Sequence, residues 1–273
     1  MYLFITLLFL VINAPVFPVQ ILSQGSRYVI VNKPAPLVCH PSEYDTCPEV
    51  PLLKIVRDQI DGRVNLVHRI DRGTSGCVLL CTDTTNSSFT SNLQRRLSEG
   101  QKTYLAWCRG NGDYLKKLGN GEETKYKLPG EGGIENVETL GDGWFRVDRA
   151  IKNERGSLRD AITDFRVLAA GVDNVVVECR PHTGRWHQIR KHLSALSSPI
   201  LGDVTHGNSK TNRMWRERGL PVHRIGLHLQ RINLPTDEGS PPILAHAPVP
   251  PDLTELWREH CPEAVDIIIK HNK

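Results

Sequence analysis

The 273-residue sequence lacks the features that mark several common classes of protein. Its seven cysteines form no C-x-x-C pair, and their odd number and spacing suit neither a zinc site nor a disulfide scaffold, which favours a reducing compartment. No glycine-rich phosphate loop is present. His182, His187 and His192 stand five residues apart, a spacing that matches neither H-E-x-x-H nor a zinc finger. The sequence therefore predicts no bound metal and no nucleotide cofactor.

Charge is also missing from the start of the chain, where no charged residue precedes Arg27. Residues 1–12 are apolar throughout, like the core of a signal peptide, but they lack its basic start and are too few to span a bilayer comfortably. We therefore interpret residues 1–20 as a cleaved leader or a gene-start artefact, in preference to a membrane anchor. An intracellular location, in the cytoplasm or an organelle, is expected.

The charge that is present is strongly localised. With 39% hydrophobic and 23% charged residues, the chain has the composition of a soluble globular protein, and its net charge is only +4. The segment 180–231, however, carries ten Lys or Arg residues and two acidic ones. Such a localised positive surface indicates a polyanionic partner. The alternative is a solvated basic face without a partner.

Hydrophobic periodicity predicts a mixture of strands and helices in one domain over residues 21–260, followed by a tail over residues 261–273. Residues 110–160 are glycine-rich and predict an irregular excursion with a hairpin near Trp144 to Val147. The predicted strands are Tyr28–Asn32, Val78–Leu80, Thr103–Cys108, Ala161–Leu168, Asn174–Cys179 and Ile225–Leu234, and the predicted helices cover 52–60, 87–98, 186–196 and a C-terminal segment that begins at Asp252.

The most informative stretch is His68-Arg69-Ile70-Asp71-Arg72-Gly73-Thr74-Ser75-Gly76, which is followed by the apolar run Cys77–Cys81. It places Asp71 between two arginines, on a turn that leads into a buried strand. The two cations favour the ionised form of the carboxyl group, and an ionised carboxylate suits a nucleophile better than a general acid. Taken alone, the pattern also fits an aspartate that only forms a salt bridge in a turn.

Five motifs in order give the chain a specific resemblance. His68–Leu80 is similar to the H-R-L-D-R-x-T-S-G-L-L-L signature of the RluA-type pseudouridine synthases. The other matches are Tyr28–Pro34 with His40-Pro41, which resembles the opening strand and loop, Lys102–Ala106 (K-x-Y-x-A), His182–Arg190 (T-G-R-x-H-Q-I-R) and Pro199–Asp203 (P-I-x-G-D). The resemblance covers roughly residues 21–250 and implies an α+β fold with a central mixed or antiparallel sheet, flanked by helices and loops.

The resemblance also implies a reaction and a site. Asp71 attacks the target uridine, Arg190 pairs with Asp71, and Tyr104 stacks on the base, while uracil is detached from C1′, rotated and rejoined through C5. The uridine is extruded from its helix, and Arg69 fills the gap that it leaves. The expected RNA-contacting residues are Lys33, Arg69, Arg72, Arg185, His187, Lys191, Lys210 and Arg213.

A narrower resemblance concerns the substrate. Asp203–Gly207, Lys210–Arg213 and Val56–Ile60 look most like the branch of the family that modifies a uridine in the tRNA T-stem. An rRNA substrate remains an alternative, as does an RNA-binding protein whose catalytic machinery is vestigial, and a membrane-tethered protein is a remote third. Two departures from the family pattern are Ile70 and the bulky Trp186. No S4-like appendage precedes Tyr28, so we expect the catalytic domain to recognise RNA unaided. A monomer is also expected.

Overall fold

The structure is a computed structural model that describes residues 18–41, 50–122, 137–153, 155–237 and 239–271. The apolar segment predicted as a leader lies almost entirely outside these ranges. Its strands are β1 Gln20–Gln24, β2 Tyr28–Lys33, β3 Asn65–Leu66, β4 Ser75–Cys81, β5 Gln101–Arg109, β6 Val137–Gly141, β7 Trp144–Asp148, β8 Ile151–Lys152, β9 Leu158–Arg159, β10 Ile162–Ala170, β11 Asn174–Pro181, β12 Leu227–Leu234 and β13 Ile243–His246. Its helices are α1 Leu52–Ile60, α2 Ser87–Glu99, α3 Asp113–Asn120, α4 Gln188–Ala195, α5 Ser209–Glu217, α6 Pro251–His260 and α7 Pro262–His271.

Eleven of the strands form one mixed sheet in the order β1-β2-β4-β12-β5-β11-β10-β7-β6, with β13 paired to β12 and β3 paired to β4. Strands β4 and β12 run parallel, while the other pairs are antiparallel. The prediction of an α+β fold around a central mixed sheet is therefore confirmed. Because β12 lies between β4 and β5, it joins the strand that follows Asp71 to the strand that carries Tyr104.

Gly76 allows the parallel pair to close. Its backbone has φ +118°, which L side chains rarely adopt, and a Cβ atom there would collide with the carbonyl oxygen of Leu229. Leu229 of β12 stands opposite Gly76 on one side and opposite Tyr104 on the other. The glycine thus brings the start of β4 close to the middle of the sheet.

The apolar residues of these elements form three buried clusters. One joins β2 and β4 to α1 and α2, and a second joins β10 and β11 to α3 and α4. The third lies on the opposite side of the sheet, where Trp107, Trp215 and Trp257 are fully buried with residues of α6 and α7. Among the helices of the described ranges, none has both the length and the apolar character that a membrane span needs.

Two predicted boundaries are wrong for identifiable reasons. Helix α4 begins at Gln188 because His187 has φ +57° and breaks the helical path, which leaves Trp186 42% exposed outside the buried stripe. The expected tail after Cys261 is instead helix α7, which buries Ala264, Val265 and Ile268 in the third cluster. Burial of that apolar face, and not helix propensity alone, holds the C-terminal segment against the sheet.

Within residues 110–160, the predicted hairpin is present as β6 and β7. The excursion also contains helix α3, which the sequence did not predict. Gly119 lowers its helix propensity, and it lies so close to the backbone of Gly143 that a side chain there would collide. Close packing against the β6–β7 hairpin therefore overrides a weak local preference.

Candidate active site

A cleft of about 240 Å³ opens beside β5 and the loop that connects β11 to α4. It gathers residues that are far apart in the sequence, among them Asp71, Tyr104 and Arg190. The remaining lining residues are Arg69, Ile70, Thr74, Lys102, Pro181, Thr183, Gly184, Arg185, Trp186, His187, Gln188, Ile189 and Leu227. The three residues predicted as catalytic therefore share one concave site.

Asp71 lies in the tight turn that precedes β4, and its side chain is 32% exposed. The Thr74 amide donates to the Asp71 carbonyl at 3.0 Å, which closes the turn. The predicted ion pair is present, because Nη1 of Arg190 donates to Oδ2 of Asp71 at 2.6 Å. Asp71 is thus an accessible carboxylate whose orientation is fixed by a cation 119 residues further along the chain.

Arg190 is itself held from behind by Asp203. Its Nε donates to Oδ2 of Asp203 at 2.7 Å and its Nη2 donates to Oδ1 at 2.8 Å, a bidentate pair that is almost fully buried. Nη1, which lies outside the edge that Asp203 engages, is the atom that reaches Asp71. Because the guanidinium is planar and rigid, the position of Asp203 fixes the direction in which Nη1 points to Asp71.

Both residues of the buried pair, Arg190 and Asp203, are held in their charged forms. Burial acts to raise the pKa of Asp203, but hydrogen bonds from Arg190 and from the amides of His206 and Thr205 outweigh it and hold that pKa below its usual value. Burial likewise acts to lower the pKa of Arg190, and the contacts with Asp203 and Asp71 outweigh it. Mutual hydrogen bonding thus compensates the desolvation of both groups.

The turn that carries Asp203 is anchored to helix α5. The side chain of Asn212, which is buried, accepts from the Gly202 amide at 2.9 Å and donates to the Asp203 carbonyl at 2.8 Å. The P-I-x-G-D motif was recognised in the sequence, but the contribution of its aspartate was not. That contribution depends on a contact with α4 that sequence spacing does not show.

The turn around Gly73 is held by a second buried arginine that sequence reasoning missed. Arg224 donates through Nη1 to the Gly73 carbonyl at 2.8 Å, through Nη2 to Oγ of Ser75 at 2.9 Å, and through Nε to Asp252 at 2.8 Å. The composition of the segment 180–231 predicts a place for this residue on a basic surface. Its 1% exposure shows that it fixes the turn after Asp71 from inside.

Tyr104 projects from β5 into the cleft and packs against two of the apolar clusters. Burial, reinforced by the negative charge of Asp71, raises the pKa of its hydroxyl above the usual value. The hydroxyl therefore stays protonated at neutral pH, so that the ring offers an aromatic face and a polar O–H group, and not a phenolate.

The residues predicted to contact RNA fall into several groups. Arg69, Arg185 and His187 line the cleft, and the first two are exposed. Lys191 lies at the rim, with Nζ 4.4 Å from the centre of the Trp186 ring. Exposed residues Lys210 and Arg213 lie on α5, and half-buried Arg72 follows Asp71; none of these three is in the cleft lining.

Lys33 does not fit its predicted role. It is fully buried, and its Nζ donates to the carbonyls of Leu37, Pro34 and Arg72 at 2.7, 3.0 and 3.2 Å. Its ammonium group fixes the loop after β2 to the turn that contains Asp71 and is not available to an RNA phosphate. The basic segment is likewise less exposed than its composition indicated, since Arg190 and Arg224 are buried.

The described ranges contain no group of three or more His, Cys, Asp or Glu side chains placed to hold a metal ion. Cysteines 39, 77, 81, 108, 179 and 261 are free and buried. In Cys77, Cys108 and Cys179 burial raises the thiol pKa, which leaves them as core residues.

Comparison with known proteins shows the family of the chain. The family model described as RNA pseudouridylate synthase matches residues 27–195. Two curated relatives, both called tRNA pseudouridine synthase C, are 32% identical over 88% of this chain and 87% of the Salmonella typhimurium protein, and 33% identical over 79% of this chain and 80% of the Yersinia pestis protein. The chain therefore belongs to the RNA pseudouridylate synthase family, which comprises isomerases that act on RNA.

Further matches differ in coverage or in kind. The Pectobacterium carotovorum protein of the same name is 32% identical, and the match covers 84% of this chain but 58% of that protein. Two human structures, titled RNA Pseudouridylate Synthase Domain Containing 1 and 4, superpose with TM-scores of 0.61 and 0.59 at 23% and 21% identity. They cover 89% and 88% of this chain, and 89% and 92% of their own, and they show the shared fold.

Because Asp203 holds Arg190, we predict that the Asp203→Asn variant of the protein loses both folding stability and activity. The variant leaves a buried cation short of its counter-charge, so we expect about 3 kcal/mol less stability at pH 7 and a roughly hundredfold lower rate, because Asp71 loses its orientation. The folded-state pKa of Asp203 is depressed, so the stability difference should persist above pH 5 and shrink as the pH falls through that value. Urea unfolding at several pH values measures it.

The matched control is Asp58→Asn, which removes a carboxylate whose side chain is 58% exposed and paired with Lys54 on α1. That change should lower the free energy of unfolding by less than about 1 kcal/mol. Equal losses in the two variants would contradict the special role of the buried pair.

Proposed function

We propose that this protein converts a specific uridine of tRNA to pseudouridine, with Asp71 as the nucleophile. The observation that carries the proposal is the accessible Asp71 carboxylate in the cleft, held through Oδ2 by a buried arginine. The names of the curated relatives support tRNA as the substrate. The alternatives are an rRNA substrate and an RNA-binding protein with vestigial catalytic residues.

The net reaction defines what the site must do. The N1–C1′ bond of the uridine is broken and a C5–C1′ bond is formed, C5 loses a proton and N1 gains one. An ionised Asp71 supplies the nucleophile without first losing a proton. Tyr104 stacks on the uracil, which keeps the detached base in the cleft while it rotates. No oxidation or reduction takes place, so the reaction itself requires no redox cofactor. We propose that the enzyme uses neither a metal nor a nucleotide cofactor, and that it is a monomer.

The cleft admits a single base and not a duplex, so the uridine has to leave its helix. Extrusion costs a few kcal/mol, which contacts along the RNA backbone offset. Arg69 is exposed at the cleft and is proposed to occupy the space that the base vacates. An intracellular location follows from the proposed substrate, since RNA is made and used inside cells.

The proposed phosphate contacts extend from the cleft rim to helix α5. Arg185 and Lys191 lie next to the loop that enters α4, and Lys210 and Arg213 lie one turn apart on the exposed side of α5. Arg72 and His187 are proposed as further contacts closer to Asp71. Lys33 is left out of this set because it is buried.

Asp71→Asn tests the catalytic role. The amide keeps the shape of the side chain but is a poor nucleophile, so we expect tRNA binding close to wild type and pseudouridine formation below detection. A strain that lacks the gene is complemented with either form, and pseudouridines in tRNA and rRNA are mapped with a carbodiimide reagent. Restoration of the missing pseudouridine by Asp71→Asn would remove the nucleophile assignment.

The same map separates the alternatives. A site that is lost from tRNA and restored by the wild-type gene supports the proposal, whereas a site lost only from rRNA identifies the other substrate. An unchanged pseudouridine map together with misfolded tRNA would favour the RNA-binding protein.

The double substitution Lys210→Gln and Arg213→Gln tests the RNA surface. If both residues contact phosphates, tRNA affinity falls and the dependence of log affinity on log salt becomes shallower by about two. Filter binding at several salt concentrations measures both quantities. The control is Lys116→Gln with Lys117→Gln on α3, which removes the same charge outside the basic segment. Equal effects of the two double variants would contradict a specific contact at α5.

A further inference from the structure

Asp71 has a second neighbour besides Arg190. Nε2 of His187 lies 3.7 Å from Oδ2 of Asp71, the same oxygen that accepts from Arg190. The distance is longer than a hydrogen bond, but hydrogen bonds between catalytic groups often shorten when the substrate binds. Among the described residues, the contacts to this carboxylate thus converge on Oδ2, which leaves Oδ1 for the nucleotide.

The other ring nitrogen of His187 meets a second imidazole. Nδ1 of His187 is 2.9 Å from Nε2 of His206, a residue of the loop that follows Asp203. The His206 amide donates to Oδ1 of Asp203 at 3.0 Å, so the same aspartate that orients Arg190 also places His206. The two histidines therefore link the buried ion pair to Asp71 by a second route.

His187 is fixed in place and is not a mobile surface residue. Its backbone has φ +57°, an uncommon conformation for a residue other than glycine, and its ring stacks on Trp186 with a centroid distance of 3.9 Å. Lys191 covers Trp186 with its ammonium 4.4 Å from the ring centre. The imidazole is thereby held between Trp186, His206 and Asp71.

The charge of Asp71 selects one arrangement of protons in this pair. A carboxylate only accepts hydrogen bonds, so the favoured His187 tautomer carries its proton on Nε2 and presents a bare Nδ1 to His206. His206 must then donate from its own Nε2. The opposite arrangement would point the Nε2 lone pair of His187 at the carboxylate, which is repulsive.

We propose that His206 is a positioning residue, which fixes the Nε2–H tautomer of His187 so that His187 and Arg190 together hold one oxygen of Asp71 and present the other to the uridine. This inference rests on the proposed function. Burial lowers the pKa of His187 to about 4, and burial lowers the pKa of His206 as well, so both rings are neutral at pH 7. The other charged groups near His187 are Arg190 and Asp203.

The test compares His206→Phe, which removes the donor, with His206→Gln, which keeps an N–H group. The assay measures tritium release from bulk tRNA labelled with [5-³H]uridine in cells that lack the gene, because C5 loses its hydrogen in the reaction. We expect roughly tenfold lower kcat with unchanged KM in the Phe variant, and a rate close to wild type in the Gln variant. His223→Gln, at an exposed residue outside the cleft lining, is the control.

The pH profile separates positioning from a merely structural role. His206 lowers the pKa of His187, so its loss should let His187 become protonated at higher pH. A charged imidazolium beside Oδ2 would make the Asp71 carboxylate a weaker nucleophile. The acid-side fall in rate should therefore begin at a higher pH in His206→Phe than in the wild type. Equal rates and coincident profiles in the two proteins would overturn the inference while leaving the proposed function intact.

Two further outcomes are decisive. If wild-type protein releases no tritium from tRNA or from rRNA, the proposed function fails and this inference falls with it. If His206→Phe does not fold, ¹⁵N NMR of the wild-type histidines at pH 7 still decides. A protonated Nε2 and bare Nδ1 in His187 support the assignment, and the reverse tautomer contradicts it.

Discussion

The site depends on one buried ion pair between helix α4 and the turn before α5. Asp203 engages the Nε–Nη2 edge of the Arg190 guanidinium and is itself held by backbone amides. This arrangement directs Nη1 to Asp71. A lone arginine on a surface helix would pair with Asp71 only part of the time, because long side chains lose entropy when they are held in one geometry.

Buried cations recur wherever a loop near the site has to be held. Lys33 donates to three carbonyls, which belong to the loop after β2 and to the turn at Asp71. Arg224 donates to the carbonyls of Gly73, Ile225 and Leu227, close to the first residue of β12. Arg96 of α2 likewise donates to the carbonyls of Pro235 and Pro241. Each group satisfies main-chain oxygens that irregular loops would otherwise leave unpaired inside the protein. Rigid loops result without regular secondary structure.

These buried cations mark the limit of what the sequence could predict. Helix α1, the strand around Val78–Leu80 and the β10–β11 pair follow from local periodicity and were expected correctly. The meeting of Asp71 with Arg190 was expected from the resemblance alone. Lys33 and Arg224 were misplaced on the surface because a charged residue is usually exposed, and only the chain's path through space reveals the carbonyls that compensate them. The His187–His206 contact was invisible for the same reason.

The central claim is that the charge of Asp203 acts on the reaction through Arg190, and a double-mutant cycle tests it most directly. Single-turnover rates of pseudouridine formation are measured for Arg190→Gln, Asp203→Asn and the combined variant, with folding verified for each. If the charge of Asp203 acts by orienting Arg190, while the oxygen that accepts from the His206 amide is kept in Asp203→Asn, the combined variant should be no slower than Arg190→Gln alone. Effects that multiply in the combined variant would show that the two residues act independently and would contradict this account.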